Sequence, residues 1–405
     1  MAPSPAPLVE VRPVANARNE WVALLLGSSG GRSSAEALDS AALQALFGTP
    51  DLLTAVAPLD CIVLVDSPAV LTPAILDLLA PDRVLLAVRA DVLAEEGVAT
   101  RLARLQGAGY RILLDGAPGA GHAPAVENGL RTVSRDCSDG APPPYSLSGL
   151  FGPHLARKVD SWTRFLACEQ AGFGWFQGDY PLDQPQAEAG AGNNSGSSNG
   201  NDEGSSRKRL LTLLALLARD ADSHELEDQL KQDPALSYHL LKLVNSAAFS
   251  CGSEITSFGQ AIQRIGRRQL QRWLQLLLYA RTHPDGPPNL LLPLAALRGA
   301  LLEALCKREG GDRDAQDLAF MTGVFSLLDR LFHMPMAAIL AELPLPSGVD
   351  AALLRREGQL GQRLQLAAGG RPDPALLAAA GVDAAGWWQA QLHACHWAIQ
   401  VVRNV

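Results

Sequence analysis

The sequence predicts an α/β unit followed by an all-helical one, and three observations carry that prediction. Up to about residue 185, short apolar runs alternate with stretches of helical period. Residues 186–207 read QAEAGAGNNSGSSNGNDEGSSR, with nothing able to offset the entropy of ordering. Beyond them no stretch shows the period-2 alternation of a strand. The expected division is therefore 1–185, a flexible linker 186–207, and 208–405.

In the first part, Leu59–Val65 (LDCIVLV), Arg83–Val88 (RVLLAV) and Tyr110–Leu114 (YRILL) read as buried strands. Ser34–Phe47, Pro73–Leu79 and Ala94–Ala108 read as the helices between and around them. Such alternation predicts a parallel sheet with helices outside. In the second part, Asp233-Pro234 supplies an N-cap and a first-turn proline, with Leu236, Leu240, Leu243 and Ala247 following at helical spacing. Ser257-Phe258-Gly259-Gln260 forms a capping box, and the helix it opens carries Ile262, Ile265, Trp273 and Leu277 on its apolar side. Further helices are expected at 292–308, 314–331, 335–343, 349–357 and 384–402.

Composition narrows the function. The net charge of −8 gives no bulk attraction to a polyanion, and Arg supplies nearly all the cationic residues, since only 5 of 34 are Lys. Neither groove-reading elements nor basic residues interleaved with aromatics are evident, so no nucleic-acid partner is expected. No run approaches the about 20 apolar residues of a membrane span, and the start MAPSPAPLVEVRPV lacks a basic-then-apolar leader. Six well-separated cysteines without a CxxC pair suit a reduced cytoplasm, which is the expected location.

The segment Glu225–Ala280 contains QDPALSYHLLKLVNSAAF, then ITSFGQAIQRIG, then QLQRWL, and AFMTGVFSLLDRLFHMPMAAILAELPLP follows at 319–346. On these motifs the second part resembles an HDOD domain, of the form found behind EAL domains. The first part carries RPVANARNEWVALLL, GYRILLDGAPG and LARKVDSWTRFLACEQAGFGWFQGDYPLDQP, in that order. On these it resembles a strongly degenerate EAL domain, the fold of cyclic-di-GMP phosphodiesterases. The resemblance implies a (β/α) barrel of TIM type. At 185 residues the unit is short of the about 200–250 such a barrel takes, so an incomplete barrel is one expectation and closure stays open.

An EAL enzyme holds two divalent metals in oxygen ligands, and the resemblance allows each ligand position to be checked. The signature Glu falls on Val22, the Asn of the next strand on Leu64–Val65, and the following Glu near Ala87. In the paired-aspartate motif Asp115 remains beside Gly116. No Lys occurs between Arg111 and Arg157, so the Lys-bearing strand is expected to be lost. In the last motif one Glu position is Arg157 and the other Asp160, while Gln177 is retained. Asp115, Asp160 and Gln177 are thus the vestiges of the site, too few for two metals, and no catalytic residue, metal or cofactor is expected. A literal Glu36-Ala37-Leu38 lies in a predicted helix rather than at a strand end, and is a chance match. Metal-dependent HD hydrolases need adjacent His and Asp, and no His-Asp dipeptide occurs.

What remains is surface. Arg264, Arg267, Arg268 and Arg272 would form a basic stripe on one helix, a candidate contact for an acidic partner. The expected function is non-enzymatic bacterial signal transduction through contacts with other signalling or regulatory proteins. The alternatives are cyclic-di-GMP binding without hydrolysis, and residual phosphodiesterase activity.

Overall fold

The computed structural model describes residues 8–28, 37–48, 51–116, 132–147, 150, 152–183, 212–213, 216, 225, 258–279, 289–343, 345–369 and 373–404. The chain divides into two units, Met1–Pro185 with Gly369–His396, and Gln186–Ala368 with Trp397–Val405. The expected linker, the Asp233-Pro234 helix start, Glu36 and the capping Ser257 lie outside the described residues.

The first unit is a closed eight-stranded barrel. Its strands are β1 (Val9–Asn16), β2 (Trp21–Ser28), β3 (Asp60–Val65), β4 (Val84–Arg89), β5 (Arg111–Asp115), β6 (Val133–Asp136), β7 (Leu155–Arg157) and β8 (Trp175–Phe176). β1 runs antiparallel to both β2 and β8, whereas β2 through β8 pair in parallel. Closure answers the open question, and it is reached economically. β6, β7 and β8 are four, three and two residues long, so the last third of the barrel is completed by little more than one pleat per strand.

Two sequence expectations are corrected here. A strand is expected to be lost between Arg111 and Arg157, whereas β6 stands there between β5 and β7, with Ser134 as its inward residue. The segment holding Ala37 and Leu38 is not helical. It precedes α1 (Ser40–Phe47), whose N-cap Asp39 accepts from the Ala42 N–H, while Leu38 N–H bonds Leu64 O at 2.8 Å.

Alternation along each strand sorts side chains into barrel interior and outer face. Val14, Ala23, Leu25, Ile62, Leu64, Leu85, Ala87, Leu113 and Leu155 form one buried cluster, with Trp175 packed against it. These come from alternate positions on seven strands, so they fill the interior. The intervening Leu24, Leu26, Val63, Leu86 and Leu114 are equally buried under the outer layer. That layer includes α1, α2 (Asp51–Ala55), α3 (Pro73–Leu76), α4 (Val98–Gly107) and α5 (Trp162–Ala171). Each such aliphatic side chain contributes roughly 1.5–3 kcal/mol by leaving water. α5 starts on Ser161, whose side chain accepts from the Arg164 N–H, and ends at Gly172, where φ is +107°. Phe165 on α5 stacks on Tyr180 with ring centroids 4.7 Å apart, sealing the short β7–β8 side.

The first unit also takes in chain from the far end of the sequence. Trp387 and Cys395 are buried, and His396 Nδ1 lies 2.9 Å from the Ala55 carbonyl at the end of α2. Burial pushes both the Cys61 and Cys395 thiols up to about 12.

The second unit is helical throughout its described residues. Its helices are α6 (Phe258–Leu277), α7 (Leu291–Arg308), α8 (Arg313–Phe325), α9 (Leu328–Phe332), α10 (Met336–Glu342), α11 (Ser347–Arg355) and α12 (Gly358–Ala368). Two further helices come last in the chain, α13 (Pro374–Ala379), which belongs to the first unit, and α14 (Ala384–Asn404), whose residues up to His396 do so as well. The expected helix over 314–331 is two, separated between Phe325 and Leu328. α7 and α8 cross through glycine. A Cβ on Gly323 would stand 2.4 Å from Arg298 O and 2.6 Å from Gly299 Cα, so only hydrogen fits there. Tyr279 spans the same core and donates its hydroxyl to Val324 O at 2.7 Å. Among the described residues no helix is long and apolar enough to cross a membrane.

Candidate functional site

The interior parity that buries Ile62, Leu85 and Leu113 continues one pleat further to the strand C-terminal ends, where active sites of parallel barrels sit. There it presents Asp66, Arg89, Asp115, Asp136, Arg157 and Gln177. Because β1 is antiparallel, its N-terminal residues meet the same rim; Glu10 pairs in register with Gly27 and Arg12 with Leu25.

The centre of this rim is a buried ion pair. Arg157 Nη2 donates to Asp115 Oδ1 at 2.7 Å and to Oδ2 at 2.8 Å, and Arg157 Nε donates to Ser134 Oγ at 3.1 Å. Arg157 is 5% exposed and Ser134 is fully buried. The register explains the reach. Asp115 pairs with Ser134 and Ser134 with Leu155, so an Arg on β7 crosses the intervening β6 to touch β5. Only a small residue on β6 leaves room for that crossing, and the same hydroxyl satisfies the Nε donor that burial would otherwise orphan.

Around that pair the other described acids also lie against cations. Glu10 Oε1 lies 2.6 Å from Arg12 Nη2, and Asp136 Oδ2 lies 2.7 Å from Lys158 Nζ. Arg89, half-exposed, bridges Asp66 at 3.7 Å and Asp91. Burial works to raise the Asp136 carboxyl, but the Lys158 ammonium and the Ser138 backbone and side chain outweigh it and hold the group at about 2. Among the described rim residues Glu10, Asp115 and Asp136 each lie against a cation, Arg12, Arg157 and Lys158, while Arg89 is shared between Asp66 and Asp91.

The three vestigial residues do not form a set. Asp115 is held by Arg157. Gln177 is buried, and its Oε1 accepts the Lys158 backbone N–H at 3.2 Å, fastening β8 to the residue after β7. Asp160 points away to solvent, 62% exposed, and pairs with Arg164 one turn on at 2.7 Å. At the other ligand positions the interior carries Ala23, Leu64 and Ala87, with Val22 packed against the same cluster. The interior residue at the signature level of β2 is thus Ala23 rather than Val22, and both are apolar. Among the described residues no group of three or more His, Cys, Asp or Glu is placed to hold a metal. The two divalent ions implied by the resemblance do not fit this rim, since a guanidinium already stands against the surviving carboxylate.

The expected basic stripe is also divided. Gly266 takes φ +78° and ψ 156°, breaking α6 into two segments, so Arg264 and Arg272 do not share one helix surface. The side chains of Arg264 and Arg267 lie outside the described residues. Arg268 pairs with Asp314 and Asp317, and Arg272 pairs with Glu303 while its guanidinium carbon sits 4.2 Å over the Phe320 ring. These two cations are partly spent on α7 and α8.

Sequence reasoning missed Ser134 and the Asp136–Lys158 pair, because β6 is four residues with a polar inward side. The one signal was TVSRD itself, Thr132–Asp136, too short and too polar to read as a strand.

Comparison with known proteins adds the following. Residues 208–331 match the model of the HDOD domain. The uncharacterised protein YuxH of Bacillus subtilis is 28% identical over 225 residues, covering 55% of this chain and 51% of that protein. The cyclic di-GMP phosphodiesterase CdgJ of Vibrio cholerae is 27% identical over 221 residues, covering 52% of this chain and 46% of that protein. The chain therefore spans about half the length of the curated relatives it matches. Among solved structures, the manganese and cyclic-di-GMP complex of BlrP1 from Klebsiella pneumoniae is similar at 17% identity with a TM-score of 0.33, over 44% of this chain and 55% of that one.

Proposed function

We propose that this chain is a non-catalytic signalling protein of cyclic-di-GMP networks, in which a degenerate EAL-type barrel and an HDOD domain act by contacting other regulatory proteins in the cytoplasm. One observation carries the reading. Both oxygens of Asp115, the surviving aspartate, are taken by the buried guanidinium of Arg157. Metal-assisted hydrolysis of a phosphodiester needs carboxylates free to bind cations that polarise the phosphoryl oxygens. A fixed cation against the remaining carboxylate repels those metals, and Ala23, Leu64 and Ala87 offer no oxygen donors beside it. The HDOD match and the relative named as a cyclic di-GMP phosphodiesterase support the network to which the protein is assigned.

The test is direct. Full-length protein incubated with cyclic di-GMP and Mg²⁺ or Mn²⁺ is expected to give no linear dinucleotide. Turnover that Asp115→Ala abolishes would overturn the proposal. Binding without turnover is the second reading, in which a phosphate would compete with Asp66 and Asp91 for the half-exposed guanidinium of Arg89 at the rim. Calorimetric titration separates the two: heat at tens of micromolar cyclic di-GMP, lost in Arg89→Ala, selects the binding role.

A further inference from the structure

We propose that the two-helix segment 373–396 is a detachable strap on the barrel unit, one that lifts away from α2 while the strands stay closed. It comprises α13, a turn and α14 as far as His396. It is counted with the first unit although residues 186–368 separate it in sequence from Met1–Pro185.

The segment holds its own backbone. Asp373 caps α13, its side chain accepting the Ala375 N–H at 2.7 Å. Past Gly381, where φ is +70°, the Val382 N–H returns to Leu377 O at 2.9 Å. Asp383 then caps α14, accepting the Gly386 N–H on its side chain at 2.7 Å and the Trp387 N–H on its carbonyl at 2.9 Å. Each of these bonds lies within the segment, so lifting it breaks none of them.

Its buried face gains little from burial. Trp387, Ala390, Gln391, Ala394 and Cys395 recur at the spacing of one helix face, and all are buried. Apart from Trp387 these side chains are small or polar and remove little apolar area from water. Trp387 Nε1 and Gln391 Oε1, one turn apart, are buried with no hydrogen-bond partner among the described residues. Both atoms regain water when the strap lifts, which offsets part of the loss of burial.

The anchor is a single exposed side chain. His396 Nδ1 stands 2.9 Å from Ala55 O, and since a carbonyl only accepts, the ring nitrogen donates. That carbonyl ends α2, and water can take the place of the imidazole there. The eight strands, in contrast, are joined in a closed ladder and belong to the high-stability end of local opening. Lifting the strap uncovers the end of α2 and frees the Cys395 thiol, which is buried in the closed form.

Full-length protein is to be alkylated with N-ethylmaleimide across a series of sub-denaturing urea concentrations, quenched at intervals, and each cysteine scored by mass spectrometry. Cys395 is expected to react at least about tenfold faster than Cys168, the fully buried thiol of α5, and with a shallower dependence on urea, since local opening exposes less surface than unfolding. His396→Ala should speed the Cys395 reaction roughly three- to tenfold through the loss of one hydrogen bond, and leave the Cys168 rate where it was. A Cys395 rate no faster than that of Cys168, or a urea slope as steep, would overturn the proposal, because the segment then opens only with the barrel. A Cys395 rate unmoved by His396→Ala would overturn it too, since the strap is then not held at α2. The comparison of the two thiols in the unsubstituted chain decides the first point even where the substitution impairs folding.

Discussion

At the scale of single residues, the rim turns on the difference between a buried and an exposed ion pair. Arg157 and Asp115 have side chains only 6% and 12% exposed, whereas Asp160 is 62% exposed. Removing one partner of a buried pair strands a charge in a low-dielectric site at a cost of about 3–5 kcal/mol. An exposed pair one helical turn apart is worth about 0.5 kcal/mol or less. Arg157→Ala is therefore expected to lower the barrel's melting transition severely and Asp160→Ala hardly at all, as read by thermal denaturation of the two variants. If the two shifts are equal, the buried pair does not hold the rim. A second residue gives the barrel a pH dependence. His154 is buried, and its Nδ1 accepts the Val133 N–H at 3.2 Å, which requires the neutral ring. Burial lowers its pKa, with a weaker opposing contribution from the Leu150 carbonyl. The unfolded chain then takes up the proton first, so stability is full above about pH 6.5 and is lost as pH falls below it. His154→Asn, which keeps an acceptor without titrating, should flatten the fall in Tm between about pH 6.5 and 5 relative to the unsubstituted protein.

At the scale of elements, what sequence made legible follows from how much apolar surface each element buries. β3, β4 and β5 are continuous apolar runs covered on both faces, so Cys61–Val65, Val84–Val88 and Ile112–Leu114 could be read directly. β6, β7 and β8 are too short to hold a pattern and are defined by their partners' hydrogen bonds. Gly266 gave no warning that α6 breaks, because a glycine within a helical period is compatible with either outcome. The α7–α8 crossing was likewise invisible: Gly299 and Gly323 read as weak helix residues, and only the crossing shows why nothing larger fits. Gly323→Ala is expected to cost about 1–3 kcal/mol through overpacking and to lower the melting transition of the helical unit. A neutral result would mean that α7 and α8 separate readily.

At the scale of the whole molecule, the described carboxylates of the barrel's rim are held by cations of the chain, and no group of three or more His, Cys, Asp or Glu among the described residues is placed for a metal. Chelation with EDTA, or addition of Mg²⁺ or Mn²⁺, is accordingly expected to leave Tm unchanged, since stabilisation by a ligand requires a site that binds it in the folded state. A divalent-dependent rise in Tm that Asp115→Asn removes would contradict that account. The sequence by itself determined the α/β character of the first part, the helical character of the second, the resemblance that places them in order, and the apolar identity of Leu64 and Ala87. These follow from local periodicity and residue identity, which need no knowledge of what folds against what. Only the tertiary structure decided that the barrel closes, that β6 is present with Ser134 facing inward, and that Arg157 reaches Asp115 across it. Those outcomes depend on strand register and on side chains separated by 42 positions, and a pairing at that distance leaves no periodic trace in the chain.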